Sequence, residues 1–410
     1  MQNTSDRILA AGVRVSNDTW ATKLNNNDLC IAPSGGGKTT SYVLPDILHS
    51  EESMIIVDTK GNLHQKTADH LRQKGYTVLL LDFTDIQNSP VGYNPLDFVR
   101  RDDMGEPNEQ DIMTISHAIL PDESVSNDPF WSRISRLVLE TAIAYLLEYT
   151  SDTTLASVTA LLSELTTGRF DRLLEEIGEI APDSLCYRRY AMWRNMRQAE
   201  KMTASVAGIL AEAMAVLSSR GAQRLYADPV RVNFHSVADH KTAVFLTVSD
   251  TDAAQYKLVN LFYTQALHVL CDYADRRPGN RLPIPVRLYL DDFASNLVIP
   301  DFDKIISIIR SREISVSIML QNLSQLVKMY GEHGKATILS NCDHTLLLGC
   351  NDVDTARYYA TKANVSLHRI LDMSLESAWL FERSSKAQQV IKTMPVYDLP
   401  ALRLDFTPAA

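Results

Sequence analysis

The 410-residue sequence lacks the features that would assign it to a membrane-spanning or disulfide-stabilised class. No stretch approaches the roughly 20 consecutive apolar residues that cross a bilayer. Residues 1–16 mix Arg, Asp, Asn and Ser, so we do not expect a signal peptide there. The five cysteines form no Cys-x-x-Cys pair and have no nearby histidine at metal-ligand spacing. We therefore expect a soluble protein of a reducing compartment, without a disulfide framework or a structural zinc site.

An excess of basic residues is also missing, because 40 Lys and Arg stand against 50 Asp and Glu and give a net charge of −10. Taken as a whole, this balance argues against a surface coated with basic residues for nucleic acid or anionic lipid. The negative charge is concentrated in residues 102–186, whose 17 acidic and 4 basic residues sum to −13 and leave +3 for the remainder. This stretch either steers a basic partner or, as we prefer, is a solvated face that keeps its domain soluble. Binding of DNA elsewhere on the chain therefore stays open.

The sequence does contain a series of short apolar runs separated by helical stretches. The runs do not alternate polar and apolar residues, which is typical of strands covered on both faces. They occupy residues 29–32, 54–57, 78–81, 243–248, 286–290, 315–320 and 345–348. Helical stretches between them, such as 62–74 and 255–273, indicate an α/β fold with a largely parallel sheet. Buried helical segments are the alternative, but runs this short favour strands.

The middle of the chain has a different pattern. From residue 102 to about 221 no convincing strand is present, and helix-period segments occur at 109–120, 130–149, 155–165, 170–177 and, as one long helix, 184–218. We therefore predict an all-helical domain over residues 102–225, inserted between the two parts of a nucleotide-binding domain at 1–101 and 226–410.

The strongest motif lies between the first apolar run and a helical stretch. Ala32-Pro33-Ser34-Gly35-Gly36-Gly37-Lys38-Thr39 follows the phosphate-loop pattern G-x-x-x-x-G-K-[ST], with Ala32 replacing the first glycine. Three consecutive glycines let backbone amides turn toward phosphate oxygens, Lys38 would reach the β- and γ-phosphates of ATP, and Thr39 would ligate Mg²⁺. The predicted cofactor-binding residues are Pro33, Ser34, Gly35, Gly36, Gly37, Lys38, Thr39 and Thr40. The alternative is a glycine-rich turn that merely precedes Lys and Thr.

A pair of acidic residues, Asp291 and Asp292, ends the apolar run 286–290. We expect Asp291 to hold Mg²⁺ through water and Asp292 to polarise the attacking water. An ordinary Asp-Asp turn is the alternative, and the phosphate loop elsewhere in the chain favours the catalytic interpretation. Most ATPases of this type carry Glu in the second position, so the shorter Asp292 bears on how fast ATP would be hydrolysed.

Two further candidates for the same site are Gln321 and Arg310. Gln321 follows the run 315–320, where its amide would sense the γ-phosphate or orient water; a plain polar residue leaving a strand is an equal alternative. Arg310, in Arg310-Ser311-Arg312, would act as an arginine finger in a neighbouring subunit; a solvated helix face is an equal alternative.

Basic and aromatic residues interleave in residues 187–201, namely Tyr187, Arg188, Arg189, Tyr190, Trp193, Arg194, Arg197 and Lys201. Such mixtures suit phosphate contact and base stacking. We prefer the other interpretation, a helix whose aromatic side chains pack inside and whose arginines are solvated.

Taken in order, these motifs resemble those of the type IV coupling proteins, the TraG/TraD-like ATPases of conjugation and type IV secretion. The resemblance covers about residues 20–400 and includes the phosphate loop, Asp58-Thr59-Lys60-Gly61, Tyr93-Asn94-Pro95-Leu96, Asp291-Asp292-Phe293-Ala294, Arg310-Ser311-Arg312 and residues 321–326. The departures from the family pattern are Ala32, Asp292 in place of Glu, and Thr59 in place of the usual Pro.

The resemblance implies a RecA-like P-loop NTPase of the FtsK/HerA group that uses ATP and Mg²⁺. It implies catalytic roles for Lys38, Asp291 and Asp292, and a trans arginine at Arg310. It further implies a hexamer, anchored by amino-terminal membrane helices at the cytoplasmic face of the bacterial inner membrane. An isolated soluble domain of this kind would often be a monomer. The partners would be single-stranded DNA with its relaxase, the relaxosome and accessory proteins, and the ATPases and inner-membrane subunits of the secretion channel.

Motor sequence begins almost at Met1, so we expect no counterpart of the family's membrane anchor within these 410 residues. Between a soluble part of a longer protein and a naturally anchorless homologue, we favour the former. The function expected from the resemblance is an ATP-driven coupling protein that feeds a DNA–relaxase substrate to the channel. The alternatives are recruitment of protein effectors by the same motor, and a nucleotide-dependent docking platform for protein substrates with little hydrolysis.

Overall fold

The computed structural model describes residues 5–59, 61–121, 129–197, 200–249, 255–291 and 298–393. Its strands are β1 (Asp6–Ala10), β2 (Val13–Ser16), β3 (Asp28–Ile31), β4 (Ser53–Asp58), β5 (Thr77–Asp82), β6 (Thr242–Thr247), β7 (Val286–Leu290), β8 (Ile314–Leu320), β9 (His344–Leu347), β10 (Ser377–Glu382) and β11 (Gln388–Ile391). Its α-helices are α1 (Thr19–Thr22), α2 (Leu44–His49), α3 (Asn62–Gln73), α4 (Glu109–Ile119), α5 (Pro129–Tyr149), α6 (Leu155–Ser163), α7 (Arg169–Ile180), α8 (Leu185–Met196), α9 (Glu200–Met214), α10 (Arg220–Ala227), α11 (Phe234–Asp239), α12 (Tyr256–Asp275), α13 (Phe302–Ile305), α14 (Ser324–Ser340), α15 (Val353–Ala363) and α16 (Leu367–Leu371).

The central element is a nine-stranded sheet in the order β11-β10-β9-β3-β8-β7-β4-β6-β5. Strands β9, β3, β8, β7, β4 and β6 run parallel to one another. Strand β10 pairs antiparallel with β9, and β11 pairs antiparallel with β10. All seven apolar runs identified in the sequence are strands of this sheet, which confirms the predicted α/β fold.

Burial explains why these runs form strands. Every residue of β3, β4, β6, β7 and β8 is buried, as expected of parallel strands covered on both faces. The antiparallel edge is different, because β11 has mostly exposed residues, in the pattern of an edge strand. A short hairpin of β1 and β2, which the sequence analysis did not predict, bonds to this edge through Ala11 N and Ile391 O, 3.0 Å apart.

The chain forms two compact units. The first, residues 1–81, 233–251 and 267–410, contains the sheet and is called the α/β unit below. The second, residues 82–232 and 252–266, is called the helical unit.

Within the helical unit, α5 is the element against which α4, α6, α8 and α9 pack. Its buried residues include Leu139, Ala142 and Ile143, and α8 contributes the fully buried Trp193.

One helix prediction in this unit was wrong. The expected single helix over 184–218 ends at Met196, because Arg197 has the extended dihedrals φ −74° and ψ 107°, and a new helix begins at Glu200. Both helices pack on α5, but α8 also packs on α7, whereas α9 also packs on α6. Packing therefore overrides a sequence that has no glycine or proline at the break.

Among the described helices, we find none that combines the length and the apolar character needed to cross a bilayer.

Candidate functional site

The phosphate loop follows β3 at the carboxyl edge of the sheet and shows why glycine occupies three successive positions. Gly35 and Gly37 have φ of +74° and +94°, a region that residues with a Cβ rarely adopt. Gly36 is required for space, since a Cβ there would lie 2.7 Å from Ala32 Cβ and 3.0 Å from Pro33 O. The replacement of the first motif glycine by Ala32 leaves this turn intact.

The loop leads directly into a helix. Residues Lys38–Val43 form a π-helical turn, in which Leu44 N bonds to Thr39 O, and α2 continues to His49. Pro45 lies in the first turn of α2, where its missing N–H is tolerated. The amino end of this helical segment therefore adjoins the loop, the arrangement in which free backbone N–H groups and the helix dipole attract an anion.

The side chain of Lys38 lies across the loop. Its Nζ donates to Ala32 O at 2.9 Å and to Pro33 O at 3.4 Å, and the residue is 8% exposed. These acceptors are neutral backbone carbonyls, so a phosphate oxygen can replace them without leaving a buried carboxylate unpaired.

Thr39 and Asp291 meet at the same edge. Thr39 Oγ1 donates to Asp291 Oδ2 at 2.7 Å, although β3 and β7 are separated in the sheet by β8. A hydroxyl and a carboxylate at this position are the oxygen ligands that Mg²⁺ takes beside a nucleotide phosphate.

Gln321 leaves β8, the strand between those that carry Thr39 and Asp291, and its side chain is exposed. The backbone N–H of Gln321 donates to Gln325 Oε1 at 2.7 Å, so the second glutamine of the motif holds the strand end. Gln321 is thus brought to the same edge as Lys38 and Asp291. Asp292, with the rest of 292–297, lies outside the described residues.

The remaining predicted nucleotide contacts surround the loop. Ser34 is exposed, whereas Pro33 and Thr40 are partly buried at its two ends.

Arg310 lies at the amino ends of the strands, opposite the carboxyl ends that carry the phosphate loop. It begins a 3₁₀ turn, Arg310–Arg312, that precedes β8, and its Nη2 donates to Thr19 O at 3.0 Å. Because β3 and β8 are parallel, a residue before β8 and the loop after β3 lie at opposite ends of the strands. The structure therefore does not bring Arg310 to the phosphate loop of its own chain.

Two of the sequence motifs have local structural tasks. Asp58 is buried and accepts from His64 N at 2.9 Å, which caps the start of α3. Asn94 donates to Asp97 Oδ1 at 2.8 Å and to Thr153 O at 2.9 Å, and so fixes the turn in which Pro95 and Leu96 lie. Lys60 lies outside the described residues.

A lysine that the sequence analysis missed also contacts the phosphate loop. Lys392, directly after β11, donates from Nζ to Gly36 O at 3.2 Å. Burial lowers the pKa of Lys392. No sequence signal marks this residue, because the contact depends on the pairing of β11 and β10 with the rest of the sheet.

The aromatic and basic cluster of α8 follows the interpretation that the sequence analysis preferred. Tyr190 and Trp193 are fully buried. The arginines differ from the expectation in part: Arg189 pairs with Glu140 at 2.6 Å, and Arg197 pairs with Asp171 at 2.6 Å, so both are engaged in ion pairs and not simply solvated.

A glycine loop of this geometry, with an acidic side chain bonded to the threonine that follows the lysine, is the arrangement by which P-loop proteins hold nucleoside phosphates. Fold and site together assign the chain to that class. The family model described as "Type IV secretory system Conjugative DNA transfer" matches residues 3–374, and the chain belongs to this family.

Individual relatives agree with the family. The chain is 25% identical over 358 residues to a conjugal transfer protein TraG of Escherichia coli, covering 80% of this chain and 53% of that protein. It is 22% identical over 371 residues to protein VirD4 of Rhizobium radiobacter, covering 87% of this chain and 51% of that protein. A TraG of Rhizobium radiobacter is 34% identical over 148 residues, covering 34% of this chain and 22% of that protein. The chain thus spans about half the length, or less, of these relatives.

Solved structures share the fold. The bacterial conjugative coupling protein TrwBΔN70, in complex with sulphate, superposes with a TM-score of 0.72 at 16% identity, over 96% of this chain and 91% of that one. TrwB in complex with ADP and Mg²⁺ gives a TM-score of 0.70 at 15% identity, over 97% and 91%. The fold is therefore the RecA-like P-loop NTPase fold that the resemblance implied.

Proposed function

We propose that this chain is the motor part of an ATP-driven coupling protein, which recruits a DNA–relaxase substrate and feeds it to a type IV secretion channel. The observation that carries the proposal is the contact between Thr39 and Asp291 beside the glycine loop, in a chain of the conjugative DNA transfer family. A glycine turn that binds no ligand would not require an acidic residue after β7, which is two strands away from β3 in the sheet.

The residues present fit ATP and Mg²⁺. The loop keeps its tight turn only with glycine at position 36, where a Cβ would lie 2.7 Å from Ala32 Cβ, and Lys38 donates to carbonyls that a phosphate can replace. TrwB, a structural neighbour, has been solved with the ATP analogue ADPNP and with ADP and Mg²⁺. The cofactor-binding residues we propose are Pro33, Ser34, Gly35, Gly36, Gly37, Lys38, Thr39 and Thr40, with Thr39 and Asp291 as metal ligands.

When bound, Mg²⁺ supplies charge neutralisation of the β- and γ-phosphate oxygens. In our proposal, Lys38 binds the same oxygens, and Asp292 accepts a proton from the attacking water while Gln321 orients it. Arg310 would act on the nucleotide of a neighbouring subunit, because the phosphate loop of its own chain lies at the other ends of the parallel strands. This assignment requires an oligomer, and a hexamer anchored at the cytoplasmic face of the inner membrane is the form we propose.

We base the proposed assembly on the family to which the chain belongs. We propose relaxase, relaxosome and accessory proteins as partners, and keep the acidic residues 102–186 of the helical insertion, residues 102–225, as a solvated face, with steering of a basic partner as the alternative. The substrate would be single-stranded DNA with its relaxase. The channel ATPases and inner-membrane subunits would be the remaining partners.

A nucleotide-dependent docking platform with little hydrolysis is the second candidate. Asp292 in place of Glu favours it, since a side chain one methylene shorter holds its carboxylate farther from the water.

A steady-state ATPase assay with and without single- and double-stranded DNA separates the two. For a motor, we expect turnover that DNA stimulates and that Lys38→Ala reduces by at least about 100-fold. Lys386→Ala is the matched control, because Lys386 is exposed in the turn between β10 and β11. Nucleotide binding without turnover, with DNA and under oligomerising conditions, would instead establish the platform.

The role of Asp292 is tested in the same assay. Asp292→Glu should keep or raise the hydrolysis rate if Asp292 polarises the water, because the longer side chain restores the usual reach. A large drop in rate would contradict that role.

A further inference from the structure

Lys392 touches the phosphate loop from the far edge of the sheet. Its Nζ donates to Gly36 O at 3.2 Å, across 356 positions of sequence. β11, which precedes it, is separated from β3 by β10 and β9 in the strand order. Because β11 is antiparallel to β10, and β10 to β9, β11 runs in the direction of β3, and Lys392 lies at the same carboxyl end of the sheet as the loop.

The backbone around Lys392 is held in place on several sides. Lys392 N donates to Glu376 O at 2.8 Å, and Ile391 O accepts from Ala11 N at 3.0 Å. The next residue, Thr393, is 5% exposed. The ammonium thus starts from a fixed point, and partial burial of its side chain strengthens its hydrogen bond by removing competing water.

The contact bears on the direction of one N–H group. In a trans peptide, the C=O of one residue and the N–H of the next point in opposite directions. A hydrogen bond that holds Gly36 O therefore also sets the direction of Gly37 N–H. Gly36 and Gly37 both lack a Cβ, so this peptide has more orientations open to it than one between larger residues. Gly36 N donates to Pro33 O at 3.0 Å, and the contact with Lys392 adds a second restraint on the carbonyl side.

The two lysines of the loop hold different peptide groups. Lys38 Nζ bonds to Ala32 O and Pro33 O, whereas Lys392 Nζ bonds to Gly36 O. The contacts of the two lysines share no atom, so a phosphate oxygen that takes the place of Ala32 O and Pro33 O beside Lys38 need not displace Lys392.

We propose that Lys392 is a positioning residue of the nucleotide site: by holding the Gly36 carbonyl, it aims the Gly37 N–H at the β-phosphate of a bound nucleoside di- or triphosphate. The inference rests on the proposed nucleotide function. The β-phosphate is the group concerned because loop amides cradle it, and it is common to ADP and ATP.

Lys392→Met tests the proposal, because it keeps an unbranched side chain and removes the donor. We expect it to weaken binding of fluorescently labelled ADP and ATP, each with Mg²⁺, by about tenfold and to the same extent. Lys392→Arg, which keeps a cationic donor, should stay within about threefold of the parent chain. Lys386→Met, an exposed lysine of the same hairpin, should bind both nucleotides as the parent does.

A second measurement does not depend on affinity. In an amide NMR spectrum of protein with isotope-labelled glycine, of which the chain has 16, the Gly37 amide resonance should shift when ADP and Mg²⁺ are added to the parent chain. The shift should be much smaller in Lys392→Met, and thermal unfolding of both chains shows whether the fold is intact. If Lys392→Met does not fold, the comparison of Lys392→Arg with Lys392→Gln replaces it, with Gln as the weaker binder.

The outcomes are distinct. Equal binding by the parent and Lys392→Met would overturn the inference and leave the nucleotide function standing. A loss confined to ATP would mean a direct contact with the γ-phosphate and would also overturn the positioning role. Failure of the parent chain to bind either nucleotide would overturn the proposed function, and the inference with it.

Discussion

Buried charged side chains have different partners at the two ends of the strands of the central sheet. At the amino ends of the strands, Arg7 Nε pairs with Asp28 Oδ2 at 2.7 Å, and Arg287 Nε pairs with Glu52 Oε2 at 3.0 Å. All four residues are at most 2% exposed. At the carboxyl ends, the buried ammonium of Lys38 donates to the neutral carbonyls of the phosphate loop.

The ion pairs at the amino ends of the strands lower the pKa of Asp28. Burial by itself raises the pKa of a carboxyl, but the guanidinium groups of Arg7 and Arg287 outweigh burial and hold the pKa of Asp28 below its ordinary value. This carboxylate is therefore charged in the folded protein and committed to its partners.

The difference separates a part of the sheet that maintains the fold from a part that can exchange ligands. Removing one member of a closed ion pair strands a buried charge, which is costly. A lysine bonded to carbonyls can transfer its donors to an anion without that cost. Four predictions, in decreasing order of expected effect, test this distinction.

Arg287→Met should have the largest effect, a loss of about 3–5 kcal/mol in the free energy of unfolding, because Glu52 and Asp28 stay buried without this partner. Denaturation by urea, followed by circular dichroism, measures it. Arg276→Met is the control, since Arg276 forms an exposed pair with Asp272 and should change stability by less than about 0.5 kcal/mol. A loss below about 1 kcal/mol for Arg287→Met would remove the contrast between the two ends.

Acid should weaken the same end of the sheet through His344. Its Nδ1 accepts from Arg7 at 2.8 Å, and burial, with Arg7 and Arg287 nearby, lowers the pKa of His344 from 6.5 to about 4. Between these values the unfolded chain binds more protons, so stability falls as the pH is lowered, by at most about 1.4 kcal/mol per pH unit. His344→Gln, which keeps an acceptor, should flatten the dependence between pH 6.5 and 4. An unchanged slope would show that other groups cause it.

Gly36→Ala should impair nucleotide binding at the carboxyl ends of the strands while the chain still folds. The added Cβ would lie 2.7 Å from Ala32 Cβ, so the loop must shift, and nucleotide affinity should fall by about tenfold or more. Gly208→Ala is the matched control, because Gly208 in α9 has no neighbouring atom within 4 Å of the added Cβ and should at most gain stability. Normal nucleotide binding by Gly36→Ala would mean that the loop adapts.

Lys38→Met should have the smallest effect on stability, a change below about 1 kcal/mol in the free energy of unfolding, although Lys38 is only 8% exposed. Its hydrogen-bond acceptors are the uncharged backbone carbonyls of Ala32 and Pro33. The same urea titration as for Arg287→Met measures the change. Equal losses for the two variants would contradict the distinction drawn between the ends.

The sequence predicted the features that depend on residues close together along the chain, and missed those that depend on distant residues. The seven runs were recognisable as strands because each is a short unbroken apolar segment, although β5, at the end of the sheet, is only partly buried. The phosphate loop is recognisable because its glycines, Lys38 and Thr39 are adjacent. The break at Arg197 was not predictable, because α8 and α9 turn toward different neighbours. The hairpin of β1 and β2 was also missed.

The sequence by itself determined the α/β class, the course of the strands and the phosphate loop, because each depends on residues that are neighbours along the chain. Only the tertiary structure decided that Asp291 meets Thr39, that Arg287 is paired inside the sheet, and that Lys392 reaches Gly36. Those contacts join residues hundreds of positions apart. They form only when parallel strands bring their ends to a common edge, which no local pattern of residues can specify.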